Sequence, residues 1–173
     1  AGLHVNLRRQ TQNRAIEGFI GEDSITKEKI GVGKIAPIDR SRTPVSFTSL
    51  DNDFTLQTQK SITFNPESSN APVVLVIKKN TSTLKSIIKW LQAGVGANQY
   101  TNNYPLLLID DEADNASVNY NDEDADPTKI NGQIREILSL FNKSSYVGYT
   151  ATPFANIFID PDSNNADFGD DLY

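Results

Sequence analysis

Four acids stand within five positions, Asp110, Asp111, Glu112 and Asp114, directly after the apolar run Leu106-Leu107-Leu108-Ile109. Crowded carboxylates repel one another and lose hydration, so they persist mainly where a cation offsets them. One carboxylate beside Mg²⁺ and a second free to orient water form a minimal set for hydrolysing a nucleoside triphosphate. Taken alone, the tetrad is equally well explained as a helix cap. Two neighbours favour chemistry. An unbroken branched apolar run is the mark of a buried strand, and open α/β sheets collect ligands at the carboxyl ends of their strands. The hydroxyl string Thr150-Ala151-Thr152 ends the next predicted strand, Tyr146-Val147-Gly148-Tyr149. Asp114 and Thr150 are 36 residues apart, room for one loop, one helix and one strand. Neighbouring strand ends would bring the hydroxyls to the acids, where they can sense phosphate.

The elements that must position these groups alternate along the chain. A helix is predicted over about residues 6–19, with Leu7, Ala15, Ile16 and Phe19 on one side and Gly21 as its stop. Residues 22–70 are rich in Ser, Thr, Asn and Asp. They carry short alternating pieces at 31–35, 45–48 and 61–64, expected as a peripheral β/loop insertion. The run Pro72-Val73-Val74-Leu75-Val76-Ile77 predicts a fully buried strand. Asn80 or Thr81 then caps a helix to about Ala93, with Leu84, Ile87, Ile88 and Leu91 inward and Trp90 at the core or its edge. The acid-bearing strand spans 104–109, an acidic loop runs from 115 to 127, and a helix near 130–142 turns Ile134, Ile137, Leu138 and Phe141 inward. This order predicts an α/β fold, a parallel sheet flanked by helices with right-handed crossovers.

The 173 residues suffice for one domain with a real core. A net charge of −6 argues against a surface that coats nucleic acid by itself. The charge is uneven, however: acids gather in 110–126 and 160–171, whereas Arg8, Arg9, Arg14, Lys27, Lys29 and Lys34 lie early. No run approaches the roughly 20 apolar residues that span a bilayer, and residues 1–14 do not resemble a signal peptide. Without cysteine there is no disulfide and no thiolate zinc site; a cytoplasmic location is expected. The lack of methionine and the opening at Ala1-Gly2-Leu3 suggest an excerpt of a longer protein.

The acids and hydroxyls resemble motifs of the superfamily two helicases and translocases: Asp111-Glu112-Ala113-Asp114 matches their Walker B motif, and Thr150-Ala151-Thr152 their Ser/Thr-Ala-Thr coupling motif. With Leu7-Arg8-Arg9-Gln10-Thr11-Gln12, Ile77-Lys78-Lys79-Asn80 and Tyr149-Thr150-Ala151-Thr152-Pro153-Phe154-Ala155-Asn156, the chain looks like the Z-one domain proteins over residues 3–159, apart from 22–70. That family is described as bacterial endonucleases with a helicase-type ATPase, placed near restriction and phage-defence systems.

The resemblance implies an incomplete RecA-like, P-loop NTPase domain of three layers over residues 1–159, with 160–173 a polar tail or linker. It implies ATP and Mg²⁺ as cofactors and nucleic acid, most simply DNA, as partner of the whole protein. Asp111 would hold Mg²⁺ through water and Glu112 would orient or deprotonate the attacking water. Asp114, Thr150 and Thr152 would couple nucleotide state to movement, and Arg8, Gln10 and Thr81 would touch nucleic-acid backbone. Asp110 is an additional acid, expected to cap or to face solvent in preference to joining the cation shell.

One departure is large. No Gly-x-x-x-x-Gly-Lys-Ser/Thr loop exists; Gly31-Val32-Gly33-Lys34 has the wrong spacing and continues into Ile35. The resemblance places that loop upstream of Ala1, so this chain alone is expected to turn over ATP negligibly. Two rivals remain, a phosphoacceptor receiver domain and a non-catalytic interaction module binding basic partners. The calcium-like spacings at Asp122, Asp124, Asp126 and at Asp160, Asp162, Asn164 lack the required glycine or closing glutamate and are better read as solvated loops. His4, the single histidine, rules out a histidine-pair metal site.

Overall fold

The structure, a computed structural model, describes residues 5–23, 25–35, 43–55, 57, 71–95, 104–111, 113 and 127–150. Within them the chain is a mixed α/β protein of four α-helices and two small parallel two-strand sheets. Glu112, Asp114, Thr152, the 61–64 piece, the acidic loop 115–126, both calcium-like spacings, His4 and the 160–173 tail lie outside the described residues. No helix among the described residues is long and apolar enough to cross a membrane.

Helix α1 (Val5–Ala15) runs into a π-helical turn, Ile16–Ile20, closed by the Gly21 amide donating to the Ile16 carbonyl at 2.7 Å. Gly21 stops the helix in the left-handed region, where a side chain is strained. The face it buries differs from the one expected. Arg8, Gln12, Ile16 and Ile20 point inward, one every fourth residue, while Phe19 is exposed. Ile16 and Ile20 set the phase, and i, i+4 geometry carries Arg8 and Gln12 into the interior with them.

Residues 31–35 form no strand. Val32–Ile35 is a short helix, α2, pressed against the π-turn. A Cβ on Gly31 would collide with the Glu17 carbonyl and one on Gly33 with the Gly21 carbonyl, so these glycines serve close packing.

Strand β1 (Val45–Ser46) pairs in parallel with β2 (Val73–Val74). The ladder is much shorter than the apolar run 72–77 implies, because its continuation finds side-chain partners. The Val76 amide donates to Thr48 Oγ1 at 2.9 Å, and its carbonyl accepts from Arg8. Every buried backbone group needs a partner, but it need not be a strand. Part of the supposed peripheral insertion is therefore core. Phe54 is buried among Leu84, Ile87 and Ile88, and Trp90 meets Phe47 edge-on with centroids 5.8 Å apart.

Helix α3 (Thr81–Val95) is capped by Asn80, whose Oδ1 accepts from the Thr83 amide at 2.9 Å. Helix α4 (Pro127–Ser139) lies alongside it, with Gln92 donating to Glu136 at 3.2 Å. Their apolar stripes, Leu84, Ile87 and Ile88 against Ile130, Ile134 and Ile137, bury one core. Each such side chain contributes on the order of 1.5–3 kcal/mol by leaving water.

Strand β3 (Pro105–Asp111) pairs in parallel with β4 (Lys143–Tyr149) over seven residues, Pro105 beside Lys143 through Asp111 beside Tyr149. Leu106 and Leu108 pack on the two helices. Leu107, Ile109, Val147 and Tyr149 are exposed on the other face, which no described element covers.

Candidate functional site

Parallel pairing decides where the chemistry gathers. Because β3 and β4 run the same way in register, both end at one rim, with Asp110 and Asp111 beside Gly148 and Tyr149. Past the last pair, the Ala113 amide donates to the Tyr149 carbonyl at 2.9 Å, so the chain leaving β3 stays against the chain leaving β4. Thr150 is the next residue at that rim. The described members of the two predicted clusters, Asp111 and Thr150, are thus adjacent strand ends.

The pleat separates the two neighbouring acids. Side chains alternate along a strand, so Asp110 shares the covered face with Leu106 and Leu108, and Asp111 shares the open one with Tyr149. Asp110 is 8% exposed. One oxygen takes the Lys79 ammonium at 2.9 Å and the other the Tyr146 hydroxyl at 2.9 Å. Expected to cap or face solvent, Asp110 does neither, because parity with Leu106 and Leu108 turns it inward. Burial first, and then the Asp110 charge and hydrogen bond, push the Tyr146 hydroxyl far above the usual tyrosine range. Tyr146 keeps part of its ring open, but its hydroxyl is turned to the enclosed carboxylate.

Asp111 is half-buried, and while its backbone belongs to the β3–β4 ladder its carboxylate makes no hydrogen bond or ion pair among the described residues. With both Asp110 oxygens occupied, Asp111 is the described acid at the rim with oxygens to offer a cation, and an oxygen donor is what Mg²⁺ requires. Among the described residues no three His, Cys, Asp or Glu side chains gather into a ligand set.

The segment before α3 borders the same rim. The Lys78 amide donates to Asp53 at 3.2 Å, Lys79 pairs with Asp110, Asn80 caps the helix, and the Thr81 carbonyl accepts from Gln133 of α4 at 3.1 Å. The string Ile77-Lys78-Lys79-Asn80 is thereby a hub joining three elements. Lys79 and Tyr146 were not among the expected site residues. Their signal was available only through Asp110, whose strand parity demands an inward partner.

Arg8 corrects an expectation. At 2% exposed it cannot reach a phosphate; its guanidinium donates to the Ser49 carbonyl at 2.9 Å, the Leu50 carbonyl at 2.5 Å and the Val76 carbonyl at 3.4 Å. Gln12, fully enclosed, continues this polar seam by donating to Ser46 and accepting from Thr48. Gln10 is exposed, and Arg9 pairs with Asp51 at 3.0 Å on the surface. Thr81 is half-buried in the first turn of α3.

Compared with models of protein families, with curated proteins and with solved structures, the chain matches none.

Proposed function

We propose that this chain is part of a superfamily two helicase-like motor of the Z-one kind, an ATP hydrolase acting on nucleic acid, within a protein that also carries endonuclease activity. Its β3–β4 sheet would belong to an incomplete RecA-like domain of the P-loop NTPase type. One observation supports this reading: the parallel register sets Asp111 beside Tyr149, so Asp111 and Thr150, the described members of the two strings, stand at neighbouring strand ends on one rim.

The resemblance then gives each residue a task. Asp111, its carboxylate without a partner among the described residues, would hold Mg²⁺ through water. The ion would neutralise charge on the phosphates. Glu112 would orient the attacking water, and Asp114, Thr150 and Thr152 would report nucleotide state to the rest of the motor. Gln10 and Thr81 keep the nucleic-acid role for which Arg8 is too deeply enclosed. The receiver alternative is disfavoured by the same pairing. In that fold the strand carrying the accepting acid lies between these two, whereas β3 and β4 hydrogen-bond directly.

The test is ATP hydrolysis by the longer protein that supplies a phosphate loop, with and without DNA. Turnover is expected to be DNA-stimulated, and Glu112→Gln to abolish it while leaving Mg·ATP binding intact. Full turnover in Glu112→Gln would refute the assignment. The 173-residue chain by itself is expected to show none.

A further inference from the structure

We propose that Lys79, Asp110 and Tyr146 are positioning residues that tie the first turn of α3 to the acid-bearing rim, so that a divalent cation taken up at Asp111 is felt at the α3 cap. The proposal rests on the reading that Asp111 takes the cation.

Asp110 and Asp111 share a peptide plane in a paired strand, so neither can shift without the other, although their side chains project to opposite faces. A backbone shift at Asp111 is therefore passed to Asp110. That carboxylate has no slack: Lys79 and Tyr146 hold its two oxygens at 2.9 Å each. Lys79 and Asp110 are only 12% and 8% exposed, and separating charges this deep costs far more than on the surface, so the pair moves together.

From Lys79 the chain passes directly to Asn80. Its Oδ1 accepts from the Thr83 amide at 2.9 Å and its carbonyl from the Leu84 amide at 3.1 Å, which makes it the anchor of the α3 entrance. The next carbonyl, Thr81, is gripped by Gln133. Tyr146 reaches the same carboxylate from β4, four residues before Thr150. One buried acid thus joins both strands of the rim to the entrance of the helix. An ion pair that merely filled space would not need all three elements to meet on its two oxygens.

The experiment is a Mg²⁺ titration of the isotope-labelled chain followed by amide resonances, the rim read at Asp111 and Ala113 and the cap at Thr83 and Leu84. Both sets are expected to shift together in the native chain. In Lys79→Met the rim shifts persist and the cap shifts are lost; Lys79→Arg restores them. Tyr146→Phe, which keeps the ion pair and guards against an unfolded Lys79→Met, should retain the rim response and diminish that of the cap. Rim shifts with a silent cap in the native chain overturn the positioning role alone. So does a cap response undiminished in the variants. Rim amides that ignore Mg²⁺ in the native chain overturn both this proposal and the cation assignment.

Discussion

Arg8 and Asp110 are both almost completely enclosed, yet their partners differ in kind. Arg8 directs its guanidinium at backbone carbonyls of Ser49, Leu50 and Val76. Backbone acceptors cannot rotate away, so this contact fastens helix α1 to segments 43–55 and 71–79 as a fixed frame. Asp110 instead meets side chains from two other elements, Lys79 and Tyr146, and its neighbour Asp111 is left available one peptide away. A buried charge met by main chain is scaffolding. A buried charge met by side chains, next to an available one, can support a site.

The largest effect should come from breaking the frame. Arg8→Met leaves buried carbonyls without donors and is expected to cost roughly 3–5 kcal/mol, since each unmet buried group costs about 1–3 kcal/mol. Chemical denaturation would read this as a large drop in midpoint. A loss below about 1 kcal/mol would mean that water replaces the guanidinium and that the frame is not fixed.

At the rim the contrast becomes a matched pair. Asp110→Ala removes the carboxylate that Lys79 and Tyr146 share in a mostly enclosed place and should cost about 2–3 kcal/mol, less than for a fully buried pair because Lys79 is partly open. Asp111→Ala, one residue on, should change stability by no more than about 0.5 kcal/mol while removing the Mg²⁺ response of the rim. Equal stability losses for the two variants would erase the distinction drawn between them.

Much of this frame is legible in sequence, where the forces are local. The 3.6-residue spacing of Leu84, Ile87, Ile88 and of Ile130, Ile134, Ile137 marks the two packed helices, and Gly21 and Asn80 mark a stop and a cap. What stays hidden depends on partners far along the chain. Val76 finds Thr48 28 residues away, and Arg8 finds the Val76 carbonyl 68 residues away. No periodicity within the run 72–77 reveals that its backbone groups are met by side chains and not by a long ladder. The interior position of Asp110 was nonetheless implicit in the alternation Leu106, Leu108, Asp110. A motif comparison draws the eye to the tetrad that follows and passes over this parity.

Tyr146 offers a smaller test of the rim. Removing its hydroxyl in Tyr146→Phe should cost about 1 kcal/mol at neutral pH. The folded state holds this proton more tightly than the unfolded chain, because burial and Asp110 both oppose the phenolate. The contribution is therefore complete below the ordinary tyrosine range and is lost as pH rises through and above it. In an alkaline titration followed by phenolate absorbance, one fraction of the signal should appear only as the protein unfolds, and Tyr146→Phe should lack that fraction.

Asp23 should give the smallest effect, because its partners are all local. It accepts from the Ile25 and Thr26 amides at 2.8 and 2.7 Å in a turn beside the π-helical segment. These two amides, Thr26 foremost, hold its carboxyl below the usual aspartate range, with the Lys27 charge a lesser aid. A depressed value in the folded state means that the contribution is present at neutral pH and is lost as pH falls through the folded value. Solvent surrounds this carboxylate, so Asp23→Ala should barely move the neutral melting temperature and should show itself only as a flatter acid limb. A carboxyl-carbon titration of Asp23 with its midpoint at or above the ordinary aspartate value would show the turn to be open in solution. The loop would then be only loosely held against the frame, whereas the Arg8 contacts would be unaffected, since none of them passes through residues 21–30.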